Sequence, residues 1–405
     1  MSPRRRVLIV QPSVQPPGGG NGVAAWMIHG LQQAGHAVTV MTLQPFDAAA
    51  INRFYGTSID PSKIDARLAR PHVMPFLDKS RVPFALLRSS LLFRELHHQK
   101  DEWDLTITAN NEADMHRRGI QYVHFPTYLR PRPSIDHRRY HFARLMDLYY
   151  AACDRIAGVT REGVMRNLSL VNSNWTGRHM RRWYDGHDTT TLYPPVAGDF
   201  PDRPWEERAP HFVSLGRLAP EKDLDRTIDI LGEVRKRFPE VHLHIIGTHN
   251  DEPYARHILG RIAQNQAWIT LHQNLSRAAL ADLVSRQRFG LHAMAEEHFG
   301  MGVAEIVRAG CVIWVRNGGG QVEIVRDDAR LIYDNNDQAI AKISAALADD
   351  AYARSLREAL LPQRTRFTEV VFVEHFLRIV DDFFAEAQAG AGRGAPKGTT
   401  GSLRA

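Results

Sequence analysis

The apolar run at residues 7–10, Val-Leu-Ile-Val, leads through the loop Gly18-Gly-Gly-Asn-Gly22 into an amphipathic segment at 23–34, a stop at Gly35 and a second apolar run at 36–42. Strand, glycine loop, helix and strand in that order mark a parallel, doubly wound sheet, because parallel strands need a crossover helix between them. The same alternation restarts in the second half. Strands are expected there at 211–215, 241–246, 269–272, 289–292 and 311–315, with helices at 224–238, 255–264 and 278–286 between them. The first half adds strands at 105–108, 121–124 and 168–173 and helices at 139–156 and 174–183. A chain of 405 residues, 43% of them hydrophobic, can fill two cores. The expected architecture is therefore α/β, with one Rossmann-like domain over 1–194 and a second over 195–369. The double proline of Thr191-Leu-Tyr-Pro-Pro-Val suits the connection between them.

Other stretches say less. Between 47 and 100 only Phe84, Leu87, Leu91 and Leu92 follow helical spacing, with Arg81 and Arg88 elsewhere on the surface. A core-facing stripe is the plainer reading there, and a membrane-surface helix the rarer one. Residues 338–360 and 370–387 read as closing helices, and 388–405 as a disordered Gly/Ala/Ser/Thr tail. Gly20, Gly22 and Ala25 fit a loose dinucleotide fingerprint, but nine residues separate Val10 from Gly20 and the second strand ends without an acidic residue to hold a ribose. Amides approaching a phosphate or an acceptor hydroxyl are a better use of these glycines, with a plain tight turn as the alternative.

Cys153 and Cys311 are too few for a disulfide framework or a thiolate cage, which points to buried free thiols and a reducing cytoplasm. No run approaches the roughly 20 apolar residues that span a bilayer. The net charge of +6 sits in clusters at 4–6, 116–118, 130–139 and 178–182. Such clusters are compatible with phosphates and with peripheral contact with an anionic membrane surface, or are simply a solvated face. Nucleic acid is not expected as a partner, because no recognition motif accompanies the charge.

The richest chemistry lies in 291–325. Glu297 and Glu305 stand eight positions apart, a rotation of about 80° on one helix, so a loop followed by a helix fits better than one helical face. Gly300 and Gly302 discourage a helix before Val303 and let backbone approach a ligand, and Gly310 stops the helix that follows. A helix start offers amides to an anion, and two carboxylates beside it suit neutral hydroxyls. A sugar attached to a diphosphate presents both groups. Arg217 and Lys222 leave one strand-to-helix turn, where two cations would meet the same anion. His124 closes a strand at the end of the sheet where such folds place ligands, though a lone histidine is more often structural. Asp223 and Asp225 fall at a helix start and share no face, so no metal site is expected.

Glu297-His-Phe-Gly-Met-Gly-Val-Ala-Glu305 resembles the Glu, seven residues, Glu motif of the retaining nucleotide-sugar glycosyltransferases of family four, which have the GT-B fold. Gly216-Arg217-Leu-Ala-Pro-Glu-Lys222 resembles their Gly-Arg…Lys motif, and Gly18-Gly-Gly-Asn-Gly22 their glycine loop. Tyr122-Val-His-Phe-Pro-Thr127, Val171-Asn-Ser-Asn-Trp-Thr176, Tyr193-Pro-Pro195 and Glu297-His-Phe-Gly300 are similar to the cytosolic α-1,2-mannosyltransferase branch of lipid-linked N-glycan assembly. The resemblance implies two Rossmann-like domains facing a cleft, with the helix at about 370–387 crossing back onto the first domain. It implies that Arg217 and Lys222 bind the donor diphosphate and that Glu305 binds the ribose. Glu297 and the amides of Phe299, Gly300, Met301 and Gly302 would hold the donor sugar and phosphate. His124 would lie near the reacting sugar, and Gly19 and Gly20 near the β-phosphate and acceptor. The implied reaction moves a mannose- or glucose-type hexose from a UDP- or GDP-sugar to a hydroxyl of a glycan, lipid-linked or small-molecule acceptor. It proceeds with retention and without cofactor or metal. A nucleotide-sugar-binding protein without turnover is the alternative.

Overall fold

The computed structural model describes residues 4–69, 84–96, 102–127, 143–249 and 252–392. Arg81, the basic run at 130–139 and the residues from 393 onward lie outside the described residues. The first half runs β1 (Arg6–Val10), α1 (Gly19–Gln33), β2 (Ala37–Thr42), α2 (Ala48–Tyr55), β3 (Ile64–Leu68), α3 (Ala85–Leu96), β4 (Leu105–Thr108) and β5 (Ile120–Val123). It continues with α4 (Ala143–Ala157), α5 (Arg161–Met165), β6 (Leu168–Val171), α6 (Asn174–Trp183) and β7 (Thr189–Thr191). The second half runs β8 (Ala209–Leu215), α7 (Leu224–Arg235), β9 (Leu243–Ile246), α8 (Pro253–Gln264), β10 (Ile269–His272), α9 (Arg277–Ser285) and β11 (Gln287–His292). After these come α10 (Met301–Arg308), β12 (Val312–Arg316), α11 (Gln321–Ile324), β13 (Ile332–Tyr333), α12 (Asn336–Ala348), α13 (Asp350–Leu360), α14 (Gln363–Arg366) and α15 (Glu369–Gly392).

The strands form two sheets, ordered β3-β2-β1-β4-β5-β6-β7 and β10-β9-β8-β11-β12-β13. Every pairing in both is parallel. Strands buried on both faces need continuous apolar runs, and Val7, Leu8, Ile9 and Val10 are fully buried. Strand order reverses between β1 and β4 in one sheet and between β8 and β11 in the other. A doubly wound sheet has its crevice beyond the strand ends at such a switch point.

Several boundaries differ from the sequence reading, among them the closing helix, which runs on to Gly392 where a disordered tail was expected from 388; two helix starts and one helix break matter most. α1 starts at Gly19, inside the glycine run, and α10 starts at Met301, directly after a left-handed Gly300 with φ 108°. The single closing helix expected over 338–360 is two, broken at Asp349, whose side chain accepts from the amide of Tyr352 and caps the second. The core of the first sheet includes Val7, Ile9, Met27 and Ile28, and α15 closes it with Phe372, Phe376, Val380 and Phe383. Burying each of these four side chains is worth roughly 1.5–3 kcal/mol.

Candidate active site in the interdomain cleft

The strand ends of both sheets face one cleft of about 1130 Å³. Loops after β1, β5 and β6 form one wall, and loops after β8, β9, β10 and β11 the other. His124, Arg217, Lys222, Glu297, Gly19, Gly20, Phe299, Gly300, Met301, Gly302 and Glu305 all line it.

At its centre Lys222 Nζ donates to Glu297 Oε2 at 2.5 Å, with both side chains less than one fifth exposed. Gly216, with φ 149°, leaves room for the lysine stem, since a Cβ there would stand 3.3 Å from Lys222 Cε. His292 Nε2 lies 3.4 Å from the same carboxylate oxygen. Burial alone would raise the Glu297 pKa, but the Lys222 cation and His292 outweigh it and hold the carboxyl well below its usual range. Burial lowers the His292 pKa despite Glu297, so the ring is neutral at pH 7. The centre is thus one partly buried ion pair beside a neutral imidazole.

Arg217 is not drawn into that pair. Its side chain is 65% exposed at the lip, and its guanidinium donates to Glu221 Oε1 at 2.8 Å. Glu305 is buried and accepts from Arg277 Nη1 at 2.5 Å, while Arg277 Nη2 donates to the Ala197 carbonyl of the interdomain connection.

The two helix starts approach each other across the cleft, since a Cβ on Gly19 would stand 3.8 Å from Met301 Cγ. Both α1 and α10 begin with glycine caps that make no side-chain hydrogen bond, so their first amides are left for a ligand. A Cβ on Gly20 would stand 3.0 Å from His124 Nε2, which brings the imidazole against the glycine loop. His124 Nε2 lies 3.0 Å from the Ala109 carbonyl, and a carbonyl only accepts, so the proton of the neutral ring is assigned to Nε2. Burial pushes this pKa down to about 4, against the pull of the Ala109 carbonyl and with the help of nearby His298.

His292, His272 and Asn274 also line the cleft and were not singled out from the sequence, and Asn172 entered there only within the Val171–Thr176 string. His292 closes β11 much as His124 follows β5, so the argument from strand ends could have found it. Arg277 carried no local signal. No group of three or more His, Cys, Asp or Glu among the described residues is placed to hold a metal ion. The arrangement suits a ligand with an anionic diphosphate, gripped by a cation and two helix starts, and neutral hydroxyls for the carboxylates.

Residues 198–360 match the family model described as glycosyl transferases group 1. The human GDP-Man:Man(3)GlcNAc(2)-PP-Dol alpha-1,2-mannosyltransferase is 27% identical over 259 residues, covering 58% of this chain and 52% of that protein. Its mouse counterpart is 31% identical over 189 residues, covering 43% and 38% respectively. The chain thus spans about half or less of these two relatives. Among solved structures, Anabaena HepE in complex with UDP and glucose superposes with a TM-score of 0.66 at 13% identity, over 94% of this chain and 100% of that one. Sucrose-phosphate synthase from Thermosynechococcus elongatus gives 0.66 at 16% identity, over 95% and 100%.

Proposed function

We propose that this chain, which has the GT-B fold and matches the glycosyl transferases group 1 model over residues 198–360, is a glycosyltransferase that moves a mannosyl residue from GDP-mannose to a hydroxyl of a lipid-diphosphate-linked glycan. The relatives' names supply the sugar, the base and the acceptor class. The observation that carries the reading is the convergence of Lys222, Glu297, His124 and the starts of α1 and α10 on one cleft.

In this reading Lys222 and the amides of α10 stabilise charge on the departing diphosphate, with Arg217 swinging in from the lip. Glu297 accepts from hydroxyls of the donor sugar, and Glu305 from the ribose. The bond between the sugar C1 and the phosphate oxygen breaks and one from C1 to the acceptor oxygen forms on the same face. The acceptor proton passes to the leaving phosphate, so configuration is retained without a separate base. Lys222 and the helix amides supply the positive charge that a metal ion supplies elsewhere. His124, neutral with Nε2 committed to Ala109, orients the reacting sugar rather than carrying its proton.

Among the described residues no helix is long and apolar enough to cross a membrane. A lipid-borne acceptor would be met at a cytoplasmic membrane surface, and exposed Arg178, Arg181 and Arg182 on α6 suit anionic headgroups. The test is a panel of GDP- and UDP-sugars given to the purified chain, with and without a phytanyl-diphosphate mannosyl oligosaccharide. Release of GDP from GDP-mannose, faster with the acceptor, is expected. Tight GDP binding with no turnover of any donor would instead make it a binding protein.

A further inference from the structure

The Gly318-Gly-Gly run and Glu323 have no part in the chemistry above. The strings Asn172-Ser-Asn-Trp175 and Tyr193-Pro-Pro195 contribute to it only a cleft-lining asparagine and proline. All of them meet at one junction between the two domains. Glu323 is 8% exposed and belongs to the second domain. Its Oε2 accepts from the Asn174 amide at 2.9 Å and its Oε1 from the Trp175 amide at 2.8 Å, the first two amides of α6 in the first domain. Tyr193 Oη, on the connection between domains, donates to Oε2 at 3.0 Å. A carboxylate at a helix start satisfies orphan amides and complements the dipole.

The junction touches both halves of the site. On the donor side the Gly320 amide donates to the Glu297 carbonyl at 2.6 Å. A Cβ on Gly320 would stand 2.9 Å from both Phe299 Cα and Ser173 Cβ, so only glycine fits between the donor loop and the first domain. Ser173 Oγ donates to the His298 carbonyl at 2.6 Å. The His298 ring stacks on Phe125 with centroids 4.3 Å apart and planes at 10°, and on Trp175 at 5.8 Å and 17°. On the acceptor side, Asn172 Nδ2 donates to the His124 carbonyl at 2.9 Å. Glu323, the start of α6 and the His124 backbone therefore form one continuous set of contacts.

We propose that Glu323 is a positioning residue for group transfer: by binding the amide end of α6 it holds His124 and the end of β5 in register with the donor loop. The sugar bound on the second domain then meets the acceptor bound on the first. This rests on the transferase reading. A group that only supports the fold would lower stability and nucleotide binding together, whereas loss of register lowers the rate while GDP, held by the second domain, binds as before.

The test compares the wild-type chain with Glu323→Gln and Glu323→Asp, using GDP-mannose and the phytanyl-diphosphate oligosaccharide, with GDP affinity measured by calorimetry. The Gln side chain keeps the volume, but it removes the charge and turns an NH2 toward a backbone N–H. A kcat loss of about thirtyfold is expected, within the range for misplacement of about 1 Å. The GDP Kd should stay within about threefold, and Asp should fall between Gln and wild type. If the carboxylate variants do not fold, Tyr193→Phe removes one hydroxyl from the junction and leaves the ring in place, with a kcat loss of about fivefold expected. Unchanged kcat in the folded variants, or kcat and GDP affinity falling in proportion, would overturn the proposal. A wild-type chain that binds GDP yet turns over no donor would overturn the transferase reading, and this one with it.

Discussion

Lys222 and Glu297 form a partly buried pair, and each needs the other. Removing Lys222 leaves the Glu297 carboxylate without its cation, facing His292, and a partly desolvated charge that loses its partner is destabilising locally. Lys222→Ala and Glu297→Ala are each expected to cut transfer from GDP-mannose at least about a hundredfold, the scale of losing one charged transition-state contact. Near-normal initial rates in both would reject the assignment. His124 gives a prediction in pH. Its pKa is about 4 in the fold against 6.5 ordinarily. As pH falls through that window the unfolded chain takes up a proton that the folded one refuses, so stability falls, and the His124 contribution to that fall ends below about pH 4. Thermal unfolding between pH 7 and pH 4 should show this decline, and His124→Asn should flatten part of it. A wild-type profile with no smaller variant slope would mean the ring protonates freely in the fold.

At the scale of elements, α10 is held at both ends. Its first amides face the cleft, while past its other end the Arg308 and Gly310 carbonyls accept from Arg364 Nε at 3.2 Å and Arg357 Nε at 3.1 Å. Cations at a helix end complement its dipole and fix its axial position. A Cβ on Gly302 would stand 2.9 Å from Leu215 Cβ and from its backbone oxygen, so Gly302→Ala has to lift the start of α10 off β8. About a tenfold weaker GDP Kd is expected by calorimetry, with circular dichroism unchanged; equal affinity would show that the amides do not hold the phosphates. Much of this was legible in sequence. β1 and β12 announce themselves as the apolar runs Val7–Val10 and Val312–Val315, because parallel strands inside a sheet are buried on both faces. β3 and β7 do not, since IDARL and TTT lie at sheet edges and stay partly exposed. The glycines of α1 read as a loop by propensity, yet the helix begins among them, where the approach of His124 leaves no room for a side chain at Gly20. Glu323 and Trp175 are 148 positions apart, and no local pattern announces a cap supplied from another domain.

Across the whole molecule the chain passes between domains twice, and the two crossings touch: the Val196 amide donates to the Phe367 carbonyl at 2.8 Å. Tyr193, Phe299 and Phe367 pack together there, with centroids 5.1–5.8 Å apart, so a residue of the cleft-lining loop before α10 sits on the hinge itself. From that point α15 leaves the second domain and lays Phe372, Phe376, Val380 and Phe383 into the core of the first. Gly30 of α1 allows the approach, for a Cβ there would meet Val373 Cγ1 at 3.0 Å. The first domain is therefore completed by α15, the last helix among the described residues, and its stability depends on a segment contiguous with the second. Phe376→Ala, at a fully buried site, should cost about 3–5 kcal/mol, and the loss should appear in unfolding of the first domain while GDP binding on the second persists. A chain ending at Thr368 carries the argument further. It exposes the apolar face that α15 covers, so its first domain should bind hydrophobic dyes and be cut by protease within 4–191, with fragments of the second domain surviving. Intact first-domain fragments and an unchanged melting profile would show that α15 lies against a core already complete without it.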